Sequence, residues 1–218
     1  MEQEEKENMN ITYESFNCIL IEKRMLRKGG YTLKKRMLCF VFSSMVLTAC
    51  SFQQTMIEEK NFAASLEASE DMMSDPVSVQ AVKNVLPFSF QTPSYLPYES
   101  KDNPKAVVRK MGDKRIALGI KYERREKSMK DYIELTVANF SYNFPFIVEQ
   151  NHFQEEVKLA NGITAYFKSS DGEMDGEDIA TLTWKEKEVE YQLLYRNVRD
   201  QDSEDVKKNL MYIASKME

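Results

Sequence analysis

The sequence predicts an α+β fold: an antiparallel sheet of about six strands in hairpins, with a short N-terminal helix and a C-terminal helix packed on it. Two observations predict this fold. Between residues 106 and 195, apolar and polar residues alternate in short runs separated by turns, which is the period of half-buried strands. After residue 203, apolar residues recur at helical spacing. Because strands and helices do not alternate along the chain, an α+β layer is favoured over a doubly wound parallel sheet.

The predicted domain spans residues 77–218 and begins with a short helix. Its apolar residues have helical spacing: Val79, Val82, Val85 and Leu86. The next eleven residues, 87–97, contain three prolines. Proline fixes φ and lacks a donor, so we expect extended, irregular backbone there.

The strand-like runs form hairpins. Residues 106–111 and 115–122 flank Gly112-Asp113, and a third strand covers 132–137. Residues 155–159 lead through Asn161-Gly162, the strongest short hairpin signal, into 163–167. A last hairpin joins 179–184 to 189–195, with an inward-facing set of Ala180, Leu182, Trp184, Val189, Tyr191, Leu193 and Tyr195.

The closing helix begins at Asp202 or Ser203, either of which can cap it. Its apolar residues form one stripe: Val206, Leu210, Ile213, Ala214 and Met217. We expect this stripe to pack on the sheet.

Residues 33–49 have the pattern of a lipoprotein signal peptide. Lys34-Lys35-Arg36 precede thirteen apolar or small residues, which are too few to span a bilayer. Leu47-Thr48-Ala49-Cys50 resembles the lipobox of bacterial lipoprotein precursors. In that family the cysteine receives a diacylglyceryl thioether and becomes the first mature residue. The resemblance implies lipidation of Cys50 and an anchor in the outer leaflet of the cell membrane; the alternative is a short buried helix with an incidental cysteine.

Residues 1–32 precede this segment and have no obvious core. Lys28-Gly29-Gly30 can be encoded by a ribosome-binding sequence, and Leu33 by an alternative start codon. We therefore interpret residues 1–32 as a mis-called start, with a disordered extension as the alternative. Cleavage before Cys50 would remove Cys18 and Cys39, leaving no pair of thiols for a disulfide.

The mature chain would be acidic. Residues 1–49 hold eight of the 30 basic and six of the 35 acidic residues, so 22 and 29 remain and the net charge is −7. This charge disfavours nucleic acid as a partner. Residues 50–76 are polar and acidic, and predict a flexible tether; a docked helix through Phe62 and Leu66 is the alternative.

No catalytic constellation, metal site or cofactor motif is visible. His152 is the single histidine, and its simplest interpretation is a surface residue. The loop Asp171–Asp178 partly matches a calcium loop, but Leu182 occupies the position that requires a glutamate. Catalysis by carboxylates alone stays open, although no pair stands out.

Two surface features admit two interpretations each. Phe140, Tyr142, Phe144 and Phe146 alternate around Pro145, and either cover the core as an edge segment or bind a ligand. The basic group Arg124, Arg125, Lys127 and Lys130 either contacts anionic lipids or wall polymers, or is solvated.

From Leu86 onward, the order of features resembles an uncharacterised extracytoplasmic domain of Gram-positive lipoproteins and anti-sigma-factor-like proteins. The matching segments are Pro87-Phe88, residues 93–97, residues 162–166, residues 182–184 with 191–193, and Ile213-Ala214. That family usually has a glycine where this chain has Tyr98-Glu99. The resemblance implies a membrane-tethered binding or sensing module and brings no catalytic residues. The predicted function is a non-enzymatic module that recognises a protein, peptide or envelope ligand. The alternative function is a carboxylate-dependent envelope hydrolase.

Overall fold

The structure, a computed structural model, describes residues 56–126, 130–169, 178–198 and 203–218, all within one compact unit. The predicted start site, signal peptide and Cys50 lie outside the described residues. So do Lys127 and residues 171–177 of the calcium-like loop.

The described residues form one antiparallel sheet of nine strands with three α-helices and one π-helical turn, which confirms a mixed helix and antiparallel-sheet fold. The strands are β1 (Asp71–Met73), β2 (Val77–Ser78), β3 (Lys105–Met111), β4 (Arg115–Glu123), β5 (Tyr132–Ala138), β6 (Glu155–Lys158), β7 (Thr164–Ser169), β8 (Ile179–Glu186) and β9 (Val189–Arg196). The helical elements are α1 (56–68), α2 (Val79–Val85), the π-helical turn (Pro145–Glu149) and α3 (Ser203–Ser215).

The prediction of about six strands is wrong, because the sheet has nine, including two short strands near the N-terminus that the sequence did not indicate. The order is β1-β3-β4-β5-β9-β8-β7-β6, and β2 also pairs with β3. β1 and β2 have three and two residues, which is too short to show a period of two.

One face of the sheet, here called the inner face, carries the hydrophobic core. The predicted inward residues of the last hairpin lie in it, with Val189 partly exposed. Strands β4 and β5 add Ile116, Leu118, Ile120, Tyr122, Ile133, Leu135 and Val137 to the core. All three α-helices contribute apolar side chains to the core, and Val206, Leu210, Ile213 and Ala214 of α3 are buried as predicted.

The flexible tether predicted over residues 50–76 is wrong for residues 56–76. Phe62 and Leu66 of α1 are buried in the core, and β1 and β2 pair with β3. The backbone N–H of Ser78 donates to Glu58 (2.9 Å), and the Lys110 ammonium donates to the carbonyl of Leu66 (2.8 Å). The alternative prediction, a helix docked through Phe62 and Leu66, therefore fits residues 56–68. Two apolar side chains one turn apart suffice to attach it.

The C-terminus pairs with the proline-rich segment. Thr92 and Glu218 exchange two backbone hydrogen bonds (2.7 and 2.9 Å), and Pro93 and Met217 form an isolated bridge. Because a chain end is otherwise a place where structure frays, this pairing fixes α3 over the inner face.

The strands give the domain two ends. The upper end is where β3 finishes at Met111 and β9 begins at Val189; the lower end is where β3 begins at Lys105 and β9 finishes at Arg196. Within the described residues, no helix is both long enough and apolar enough to cross a bilayer.

Candidate ligand-binding surface

The four alternating aromatic residues lie on the outer face of the sheet, and Tyr142 and Phe144 are held next to Glu190 near its upper end. They belong to the connection between β5 and β6, which includes the π-helical turn. None of them is part of the core: Tyr142 and Phe146 are 37% and 56% exposed, and Phe140 and Phe144 are half-buried. The interpretation as core packing is therefore wrong, and the row covers the other side of the sheet.

Three neighbours extend the row into one patch, here called the aromatic surface. Phe144 and Phe153 each meet Tyr166 of β7 edge-to-face, with centroids 5.7 and 4.9 Å apart. The exposed ring of Phe146 stacks on His152 at 4.3 Å, which confirms that the histidine lies at the surface. Phe140 and Tyr142 pack edge-to-face at 5.5 Å. Such pairs hold the rings in defined orientations beyond what burial alone provides.

Two cations border the aromatic surface. The Lys185 ammonium lies 4.4 Å from the centroid of Phe144 and donates to the Ser141 hydroxyl (2.6 Å). The guanidinium of Arg115 lies 5.8 Å from the Phe140 ring. Both distances are within the range of cation–π attraction.

A buried carboxylate holds the aromatic row in place. Glu190 of β9 is 2% exposed and points to the outer face. Its Oε2 accepts from the backbone N–H groups of Tyr142 (2.8 Å) and Phe144 (3.1 Å), and its Oε1 accepts from that of Asn143 (2.7 Å). Three charge-assisted hydrogen bonds to consecutive residues fix the backbone that enters the π-helical turn.

A short polar chain continues this attachment across the outer face. The Asn143 side-chain amide donates to Gln192 (3.0 Å), whose own amide donates to the Thr183 hydroxyl (3.1 Å). Gln192 and Thr183 are buried cross-strand partners on β9 and β8. Buried polar groups that are fully paired in this way make the position of a loop specific.

No protein-family model, curated protein or solved structure matches the chain. The resemblance to the extracytoplasmic family therefore stays a prediction.

The second buried carboxylate, Asp131, ties together the lower end of the domain. Arg124 donates to both of its oxygens (2.9 and 2.6 Å), and the Tyr195 hydroxyl donates to Oδ2 (2.9 Å). Burial acts to raise the pKa of Asp131, but the hydrogen bonds from Arg124 and Tyr195 outweigh it and the pKa lies below its ordinary value. The carboxylate is thus held ionised.

Tyr98 extends this cluster to the proline-rich segment. Its ring lies 4.5 Å from the guanidinium of Arg124. Its hydroxyl donates to the carbonyl of Tyr122 (2.6 Å) and accepts from the N–H of Ile133 (2.7 Å). Burial raises the pKa of Tyr98 far above its ordinary value, so the hydroxyl keeps its proton and its role as a donor.

The predicted basic group is not a free cationic patch where the structure describes it. Arg124 pairs with Asp131, and Arg125 pairs with Glu99 and Asp102. The described part of the chain contains no cluster of three His, Cys, Asp or Glu side chains arranged to hold a metal ion.

Sequence reasoning proposed the four aromatic residues as binding candidates but missed the residues that position them. Glu190, Gln192 and Thr183 occupy outward positions on strands, where polar residues are usually solvated. Their spacing in the sequence does not distinguish them from solvated polar residues. The one available signal was Pro145, which interrupts strand pairing and so marks a segment that must be attached by other means.

Proposed function

We propose that this chain is a membrane-anchored extracytoplasmic lipoprotein that acts as a non-enzymatic binding or sensing module at the cell envelope. The observation that carries the binding role is the aromatic surface. Large rings are exposed there, yet their backbone is held rigidly by Glu190. Exposed aromatic residues on a preorganised loop are typical of recognition sites, because little conformational entropy is lost on binding.

The arrangement of carboxylates supports binding over hydrolysis. A carboxylate-dependent hydrolase needs two carboxyl groups that converge on one substrate bond. Asp131 and Glu190, the two buried carboxylates of the described residues, lie on opposite faces and at opposite ends of the sheet. Each already accepts hydrogen bonds at both oxygens from groups of the domain itself.

The proposed partner is a protein or peptide of the envelope, and the bilayer is contacted through the acylated Cys50. The mature net charge of −7 and the internal pairing of Arg124 and Arg125 both disfavour nucleic acid.

Photo-crosslinking of the full chain in its native membrane tests the binding role. We expect benzoylphenylalanine in place of Phe146 to give a discrete adduct of higher mass, because that ring is the most exposed of the four alternating aromatic residues. Benzoylphenylalanine in place of Tyr212, which is 49% exposed on α3, is the matched control and should give none.

The adduct at position 146 should disappear when Tyr142 and Phe140 are replaced by alanine in the same chain. If no adduct forms at position 146, or if position 212 gives the same adduct, the aromatic surface is not the binding site.

A further inference from the structure

Two large apolar residues are exposed at the start of the described part of α1. Met56 and Ile57 are 56% and 55% exposed, whereas Phe62 and Leu66 of the same helix are buried. At about 100° per residue, Ile57 points about 140° and 180° away from these two residues. Ile57 therefore faces directly away from the core.

This turn lies close to the proposed acylation site. Six peptide units separate Cys50 from Met56, and each spans at most about 3.6 Å. The Cα of Met56 can thus be no more than about 22 Å from the Cα of the proposed acylation site, Cys50. This distance is shorter than the thickness of a bilayer's hydrocarbon core.

The direction of α1 places Met56 and Ile57 at the lower end of the domain. Near its start, Glu58 forms an ion pair with Lys105 at the beginning of β3 (3.0 Å). Near its end, the Leu66 carbonyl accepts a hydrogen bond from the ammonium of Lys110, the penultimate residue of the same strand (2.8 Å). The helix therefore runs alongside β3, from the lower end to the upper end.

The aromatic surface lies on the opposite face of the sheet from this turn. It covers the outer face, whereas α1 packs on the inner face. The part of it that Glu190 holds is also higher, since Lys105 stands level with Leu194 of β9, four residues below Glu190, which is about 13 Å along the strands.

Four cations of the lower end are paired with carboxylates of the domain, which reduces their attraction to anionic lipid: Lys101 with Glu123, Lys105 with Glu58, Arg124 with Asp131 and Arg125 with Glu99. Contact with a bilayer at this end would therefore depend mainly on apolar side chains, which insert into the boundary between headgroups and acyl chains.

We infer that the lipid-anchored domain stands on its own bilayer by its lower end, with Met56 and Ile57 inserted in the lipid interface and the part of the aromatic surface held by Glu190 at the far end of the outer face. This orientation rests on the proposed acylation of Cys50. It leaves the aromatic surface accessible to a partner in the envelope, rather than to the membrane that holds the domain.

Depth-dependent fluorescence quenching tests the orientation. The full chain carrying Ile57→Cys is labelled with an environment-sensitive fluorophore and reconstituted in phosphatidylcholine–phosphatidylglycerol vesicles that contain lipid brominated near the headgroup. We expect the emission to fall at least twofold relative to vesicles without bromine, and to change little between 50 and 500 mM salt. The emission of the labelled Met56→Cys chain should fall to a similar extent. Tyr212→Cys, with similar exposure, is the control and should not be quenched.

Two further measurements, labelling of the unaltered chain and its flotation with the vesicles, distinguish the inferred orientation from the proposed anchor. The chain without an added cysteine should take up no label, because acylation would block Cys50 and processing would remove Cys18 and Cys39; it should also float with the vesicles. Flotation without quenching at positions 56 and 57 would overturn the orientation and leave the anchor standing. Failure to float, or labelling of the unaltered chain, would overturn the anchor and the orientation with it.

Discussion

At the scale of single residues, one carboxylate holds the backbone from which the aromatic surface projects. Glu190 accepts three hydrogen bonds from consecutive backbone N–H groups, of Tyr142, Asn143 and Phe144. These groups cannot pair within the π-helical turn that follows, and water is excluded because Glu190 is buried. An unpaired buried donor costs about 1–3 kcal/mol, so the carboxylate stabilises a conformation that the loop would not adopt alone.

Glu190→Gln should loosen the loop while leaving the sheet intact. The amide oxygen can replace one carboxylate oxygen, but the NH₂ group then faces a backbone donor with no acceptor between them. We expect the free energy of unfolding to fall by about 1–3 kcal/mol. Amide hydrogen exchange at Tyr142, Asn143 and Phe144 should accelerate more than exchange at Leu135 in the sheet.

The matched control is Glu188→Gln, an exposed position two residues earlier on the same hairpin, which should change neither stability nor exchange. Equal exchange at Asn143 in the wild type and in Glu190→Gln would show that the carboxylate does not hold the loop.

The same residue shows what sequence reasoning can resolve at this scale. Inward positions such as Leu135 and Leu193 were identified, because apolar residues at a period of two have one stable placement. An outward-facing glutamate has two stable placements: its carboxylate is either solvated or buried against backbone N–H donors. Choosing between them requires knowing where the chain between β5 and β6 returns, and a sequence contains no local signal for that.

At the scale of elements, the length of each strand or helix determined whether the sequence predicted it. The strands of the last hairpin have eight residues each, and α3 has thirteen, so their periods are unmistakable. Gly112 and Gly162 adopt φ values of +69° and +81° in the turns that the sequence indicated. The helix α1, by contrast, has only two buried apolar residues within an acidic stretch, and it resembled a solvated spacer.

Replacing Phe62 by alanine tests whether α1 belongs to the domain. If residues 56–68 form part of the core as the structure shows, Phe62→Ala should lower the free energy of unfolding by about 3–5 kcal/mol, since it removes a buried aromatic side chain. Urea denaturation of the full chain measures the change. Glu67→Ala, on the exposed side of the same helix, should stay within about 0.5 kcal/mol of the wild type. Identical denaturation midpoints for Phe62→Ala and the wild type would restore the flexible tether.

At the scale of the whole molecule, the two faces of the sheet have different roles. The inner face is covered by three helices and supplies the core, whereas the outer face carries a polar chain and the aromatic surface. Carboxylates join separate elements at several points: Glu58 links α1 to β2 and β3, and Asp131 links β4 to β9. The fold as a whole therefore depends on these groups being ionised.

This dependence predicts destabilisation by acid. Burial acts to raise the pKa of Glu58 and Asp131, but hydrogen bonds outweigh it and lower both; hydrogen bonds from Lys101 and Lys121 lower that of Glu123 to about 2. A carboxyl group whose pKa is lower in the folded state contributes stability above its ordinary pKa, near 4, and loses it as the pH falls towards the folded value. The free energy of unfolding should thus be constant from about pH 7 to pH 5 and then decrease.

Asp131 should account for the largest single part of this decrease, because its ion pair is buried, whereas the pair of Glu123 is exposed and contributes little. Asp131→Asn leaves Arg124 without its partner, and we expect a loss of about 3–5 kcal/mol at pH 7. The loss should shrink as the pH falls below 4, since the unfolded wild type then takes up a proton at Asp131 and the ion pair no longer contributes its full stability. Denaturation series at pH 7, 5 and 3 measure both effects, with Glu123→Gln as the control. If the difference between Asp131→Asn and the wild type were independent of pH, the ionised carboxylate would not be what holds the lower end of the domain together.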